Sequence, residues 1–193
     1  MVALVWIDKS GTEIQLCLIK ETPEIQEING LVFSVVDGEP LDVSYTIRTD
    51  GKWRTLSVTV QQDYDGLHRT LELEVDGEQR WYFNGVEDVS LRGCLDVDLG
   101  ITPASNTLPI KRLQLAPGES RDVAAAWVRF PALTVENARQ RYTRLDERTY
   151  EYNSDTFTAE ILVDEKGHIT RYADLWELIG KTRDDRMTLE EPS

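Results

Sequence analysis

Apolar and polar residues alternate along most of this chain with a period of two. Val43, Tyr45 and Ile47 alternate with Asp42, Ser44, Thr46 and Arg48, and Leu71, Leu73 and Val75 alternate with Thr70, Glu72 and Glu74. Successive side chains of an extended strand point to opposite faces, so this period predicts strands with one face in a core and one in water. Asp50-Gly51, Asp63-Tyr64-Asp65-Gly66, Asp76-Gly77 and Asn84-Gly85 punctuate the runs. Asp-Gly and Asn-Gly tolerate the positive φ that tight hairpins need, so the first half reads as a meander of antiparallel neighbours. Residues 31–36, Leu-Val-Phe-Ser-Val-Val, are apolar on both faces. That predicts a strand buried on both sides, or one facing a cavity.

The second half repeats the theme. Residues 123–130, 148–152, 156–163 and 169–172 read as strands, with a turn at Asp164-Glu165-Lys166-Gly167. Residues 135–142 fit a short helix or a strand equally well. Residues 174–179 predict one terminal helical turn stopped by Gly180. The expected fold is mostly β: a single domain over residues 1–180, built as an antiparallel meander with few short helices that forms a sandwich, barrel or roll. Residues 181–193 are expected to be a polar C-terminal tail.

Composition narrows the function classes. The 193 residues carry a formal net charge of −14. That repels phosphate backbones and anionic surfaces and argues against nucleic-acid binding. No apolar run approaches the roughly 18 residues of a membrane helix, so no membrane insertion is expected. The N-terminus shows no charged leader or small-residue cleavage site, and a cytoplasmic location is the expectation. Cys17 and Cys94 lack partners at metal spacing and read as reduced, buried thiols. His68 and His168 each sit beside a turn and read as solvated. Asp96-Val97-Asp98 does not start an EF-hand, because Gly100 falls too early and Thr107 occupies the twelfth place. No nucleophile elbow or phosphate loop is present, so no catalytic residue, metal ligand or cofactor is assigned.

The segment from Gly93 to Leu115 concentrates the candidate chemistry. Leu95, Val97 and Leu99 alternate with Cys94, Asp96 and Asp98, which predicts a strand. Pro103 and Pro109 bracket Ser105-Asn106-Thr107, which predicts a stiff loop rather than a helix. Residues 110–115 read as the next strand. Two carboxylates followed by Lys111-Arg112 predict an ion pair of Arg112 with Asp98 or Asp96, stapling two neighbouring strands. The alternative reading is a polar lip beside a ligand groove. Trp53, Trp81, Tyr82, Phe83, Trp127, Tyr150, Tyr152 and Tyr172 fall in or beside strands. They read as core packing, or as the lining of a concave apolar face. The candidate ligand-binding residues are Trp53, Trp81, Tyr82, Asp96, Asp98, Asn106, Arg112 and Tyr152.

Gly93, Cys94, Asp96, Asp98, Thr102, Pro103, Asn106, Thr107, Leu108, Pro109, Lys111 and Arg112 together resemble the signature of a bacterial glycolipid-binding family, once a domain of unknown function. Residues 150–154, 163–167 and 172–176 are similar to the same family. The resemblance implies a spiral β-roll, related to lipoprotein carriers whose curved sheet encloses an apolar cavity. It implies a lipid or glycolipid as partner and brings no catalytic residues with it. Three readings follow: a lipid- or glycolipid-binding β-roll; an enzyme acting on a sugar or lipid head group through Asp96, Asp98 and Arg112; or an interaction protein without a small ligand, expected as a homodimer.

Overall fold

The computed structural model describes residues 1–155 and 157–182. The first half forms β1 (Val2–Asp8), β2 (Ile14–Glu21), β3 (Ile25–Val36), β4 (Glu39–Asp50), β5 (Thr55–Tyr64), β6 (Leu67–Val75), β7 (Trp81–Phe83) and β8 (Val86–Glu87). The second half forms β9 (Asp96–Leu99), α1 (Thr107–Leu113), β10 (Ser120–Arg129), β11 (Thr134–Arg144), β12 (Thr149–Ser154), β13 (Thr158–Val163), β14 (Ile169–Tyr172) and β15 (Trp176–Lys181). All fifteen strands join one curved sheet that does not close, in the order β8-β7-β6-β5-β4-β3-β2-β1-β15-β14-β13-β12-β11-β10-β9. Sequence neighbours pair antiparallel from β1 to β8 and from β10 to β15, as the meander pattern predicts, and β1 joins the two halves by pairing with β15. The last pair, β9 with β10, is parallel. No helix among the described residues is long and apolar enough to cross a membrane.

The turns follow their chemistry. Asp37-Gly38, Asp65-Gly66 and Asn84-Gly85 all hold positive φ at both positions, the backbone that matches a two-residue hairpin to strand twist. Inward positions Val43, Tyr45, Ile47, Val58, Val60, Leu71 and Leu73 are buried, in the predicted alternation.

The edge strand β9 curls back onto the first half. Thr55 donates its backbone N–H to the Leu95 carbonyl at 3.0 Å, and its hydroxyl accepts from Val97 N–H at 3.0 Å. The Trp81 indole N–H donates to the Cys94 carbonyl at 3.0 Å. The inside of the roll is filled by the chain itself, since every residue from 101 to 110 is buried. This plug is tied to both halves. Gln15 Nε2 donates to the Ile101 carbonyl at 2.7 Å and its Oε1 accepts from the Thr102 hydroxyl at 2.6 Å. The Tyr45 hydroxyl lies 3.2 Å from that of Thr102, and the Tyr142 hydroxyl donates to Asn106 Oδ1 at 2.7 Å. Tyr45 reaches the plug across Gly30, where a Cβ would stand 2.1 Å from the Tyr45 ring. Packed chain thus occupies the inside of the sheet at residues 101–110.

Several expectations are corrected. The proline-bracketed segment is helical: a 3-10 turn at Pro103–Asn106 runs into α1, which ends on Gln114 in a left-handed conformation. Both prolines fall in the first turn of their helices, where the missing N–H has no intrahelical partner to lose. Thr102 caps the first of them by accepting from Ala104 N–H. The expected strand over residues 110–115 is thus a helix end. Residues 135–142 lie within strand β11. The expected terminal helical turn is largely β15, because pairing with both β14 and β1 overrides local preference. Lys181 closes that strand, and residues 183–193 of the expected tail lie outside the described residues. The doubly apolar strand has one wet face, with Leu31, Phe33 and Val35 at 39%, 48% and 54% exposure. His168 is buried rather than solvated: its imidazole sits against the Asp164 carboxylate at 3.2 Å, fixed by the turn beside it. Cys17 and Cys94 are free and buried.

Candidate functional site

Two carboxylates leave β9 on the same face, because Asp96 and Asp98 are two residues apart. Between and beyond them, Val97 and Leu99 point the other way into the core. Asp96 is sealed, its side chain 2% exposed. Arg112, in the last turn of α1, grips it with two charge-assisted bonds. Nε donates to Oδ1 at 3.0 Å and Nη2 to Oδ2 at 2.5 Å. Burial pushes the Asp96 carboxyl up from its ordinary pKa, and the guanidinium pulls against that shift. The expected ion pair therefore exists with Asp96, and it joins strand to helix rather than strand to strand.

Asp98 has no such cation. Ser105 donates its hydroxyl to Oδ1 at 3.1 Å and Gln140 donates Nε2 to Oδ2 at 2.6 Å, and both donors are neutral. Burial pushes its carboxyl above the ordinary range; the two hydrogen bonds oppose this and the Asp96 charge adds to it. Asp98 faces a cup of about 220 Å³ lined also by Asn106, Trp127, Tyr152, Phe157 and Tyr172. Ring centroids of Tyr152, Phe157 and Tyr172 lie 6.2–6.3 Å from one another, with Phe157 and Tyr172 near parallel at 25°. Tyr142 packs edge-on against Tyr152 at 5.3 Å. After burial, the Asp98 charge is the next cause raising the phenols of Tyr152 and Tyr172. Trp127 lies over Gly100, where a Cβ would come 2.7 Å from the indole nitrogen. That glycine lets the indole form one wall of the cup. A groove of about 560 Å³ adjoins the cup at Trp127, Tyr152 and Ser154 and follows β10 and β11, lined also by Arg129, Glu136, Asn137 and Arg139.

Of the residues singled out by sequence, Asp98, Asn106 and Tyr152 meet in this cup. Asp96 and Arg112 form the neighbouring clamp. Trp53, Trp81 and Tyr82 do not line the cup. Trp53 is buried beneath the Lys111 ammonium, 5.3 Å from its ring. Trp81 is fully buried, and the Tyr82 hydroxyl donates to Asp76 at 3.2 Å. Trp127 and Tyr172 were legible as strand aromatics but not as neighbours of Asp98. Gln140 and Phe157 carried no signal, since only the fold brings β11 and the β12–β13 turn to β9. Among the described residues, no three His, Cys, Asp or Glu side chains converge where a metal could be held.

A crystal structure of a DUF1089 family protein from Pseudomonas aeruginosa resembles this one, with 29% identity and a TM-score of 0.78 over 86% of this chain and 91% of that one. A search of the curated proteins found no match. Residues 3–177 match the family described as "Putative glycolipid-binding", and the chain belongs to that family.

Proposed function

We propose that this protein binds the polar head group of a lipid or glycolipid in the cup walled by Trp127. The family description supports the ligand class. The observation that carries the reading is a carboxylate at the floor of an aromatic cup. A sugar ring or similar head group offers an apolar face to stack on Trp127 and Tyr152, and polar edges for Asp98 and Asn106. The cup, at about 220 Å³, suits one ring-sized group. In this reading the enzyme alternative has lost its trio, because Asp96 and Arg112 are bonded to each other and Asp98 alone reaches the cup.

Trp127 and Trp176 both line the cup, so indole fluorescence reports its occupancy. Titration with octyl glucoside below its micelle concentration, alongside native mass spectrometry of the purified chain, tests the reading. Saturable quenching that Trp127→Ala abolishes, or a co-purifying amphiphile, supports it. An unresponsive spectrum for every amphiphile tried, with no bound mass, overturns it.

A further inference from the structure

Asp98 is the sole charged side chain among the described residues that line the cup. Its neighbour Asp96 consumes the nearby cation, Arg112. Its own partners, Ser105 and Gln140, bring hydrogen bonds and no charge. A partly buried carboxylate without a counterion is costly, and the cost falls if a ligand supplies the missing charge. The walls around it are of the kind that favours a cation. Tyr152, Phe157 and Tyr172 hold their centroids 6.2–6.3 Å apart, and Trp127 closes another side. Aromatic faces attract ammonium groups through the ring quadrupole, and most strongly where water is excluded. Trp127 already shows this affinity, with the Arg129 guanidinium 4.8 Å from its ring centroid. The net charge of −14 would also draw cations toward the surface.

We propose that the group seated in the cup is an organic ammonium, its charge neutralised by Asp98 and its alkyl shell held by the rings of Tyr152, Phe157 and Tyr172. This rests on the reading of the cup as a head-group site and adds the charge of the head group. A quaternary ammonium head group and an amino sugar share this chemistry.

The test compares charged probes with neutral counterparts on the full chain at constant ionic strength, by calorimetry and indole fluorescence. Choline is paired with 3,3-dimethyl-1-butanol, its uncharged isostere, and glucosamine with glucose. At least one ammonium probe is expected to bind ten-fold or more tightly than its neutral partner, and the pair that shows it names the source. Asp98→Asn is expected to erase the difference. The wild-type comparison stands even if that variant folds poorly. Equal binding within either pair, with no preference in the other, overturns the ammonium inference. If octyl glucoside still binds in that case, the head-group reading survives. If no probe binds at all, both fall.

Discussion

Asp96 and Asp98 sit two residues apart on one short strand, face the same way, and meet opposite surroundings. Asp96 is sealed and held by two bonds from Arg112, so its charge is answered inside the protein. Asp98 receives a hydroxyl and an amide, and its free side opens on aromatic rings. The difference arises from α1. Its last turn carries Arg112 to Asp96, while the 3-10 turn before it presents only Ser105 and Asn106 toward Asp98. A sealed carboxylate and a cup-facing one thus come from the same strand, separated by which turn of a buried plug lies opposite.

The comparison breaks most visibly at the clamp. Arg112→Ala leaves Asp96 buried without its cation and is expected to destabilise the fold by about 3–5 kcal/mol, read by urea denaturation. A loss under about 1 kcal/mol would place the pair among weak surface bridges and remove the distinction from Asp98. Next in size, Gln140→Leu removes the 2.6 Å bond to Asp98. It is expected to cost roughly 1–3 kcal/mol and to push the Asp98 carboxyl further up.

Asp98→Asn is expected to have the opposite sign. The folded pKa of Asp98 is raised, chiefly by burial, so the folded state holds its proton to higher pH than the unfolded chain does. Stability therefore falls as pH rises from the unfolded pKa, about 4, through the folded one, and the full penalty is present above the latter. The asparagine variant should equal or exceed the wild type by about 1 kcal/mol at neutral pH. Its advantage should vanish below pH about 4. Denaturation at pH 7 and pH 4 checks this, and a variant less stable at pH 7 than at pH 4, relative to wild type, would contradict it. The smallest effect is expected at Tyr172, whose hydroxyl bonds no protein group among the described residues. Tyr172→Phe should change stability by no more than about 0.5 kcal/mol and leave binding of the preferred ammonium probe in place, while Tyr172→Ala weakens that binding.

Much of the fold was legible because its rules are local. Asp65-Gly66 and Asn84-Gly85 mark their hairpins by backbone preference alone, and the alternation of Val43, Tyr45 and Ile47 identifies an inner face. The plug was misread because its prolines stop helices in general and start them here, a distinction that depends on position within a turn. The exposed face of Leu31, Phe33 and Val35 contradicts burial by composition, since apolar residues do not decide which face is covered. At the site, Asp98, Asn106 and Tyr152 were visible through their chemistry and the family resemblance. Gln140, Phe157 and the division of labour between the two aspartates depend on contacts between β9, β11 and α1 that no local pattern encodes.

Asp96 is answered within the protein, and in the proposal the charge of Asp98 is left to be answered by a ligand. Carboxyl-carbon NMR of both side chains, followed from pH 3 to pH 9 with and without tetramethylammonium and, separately, glucosamine, tests this contrast in one experiment. The Asp98 midpoint is expected above the ordinary carboxylate value and should fall when at least one of the two cations is added, while the Asp96 signal stays where it was. Midpoints that move together, or an Asp98 midpoint indifferent to both cations, would contradict the account.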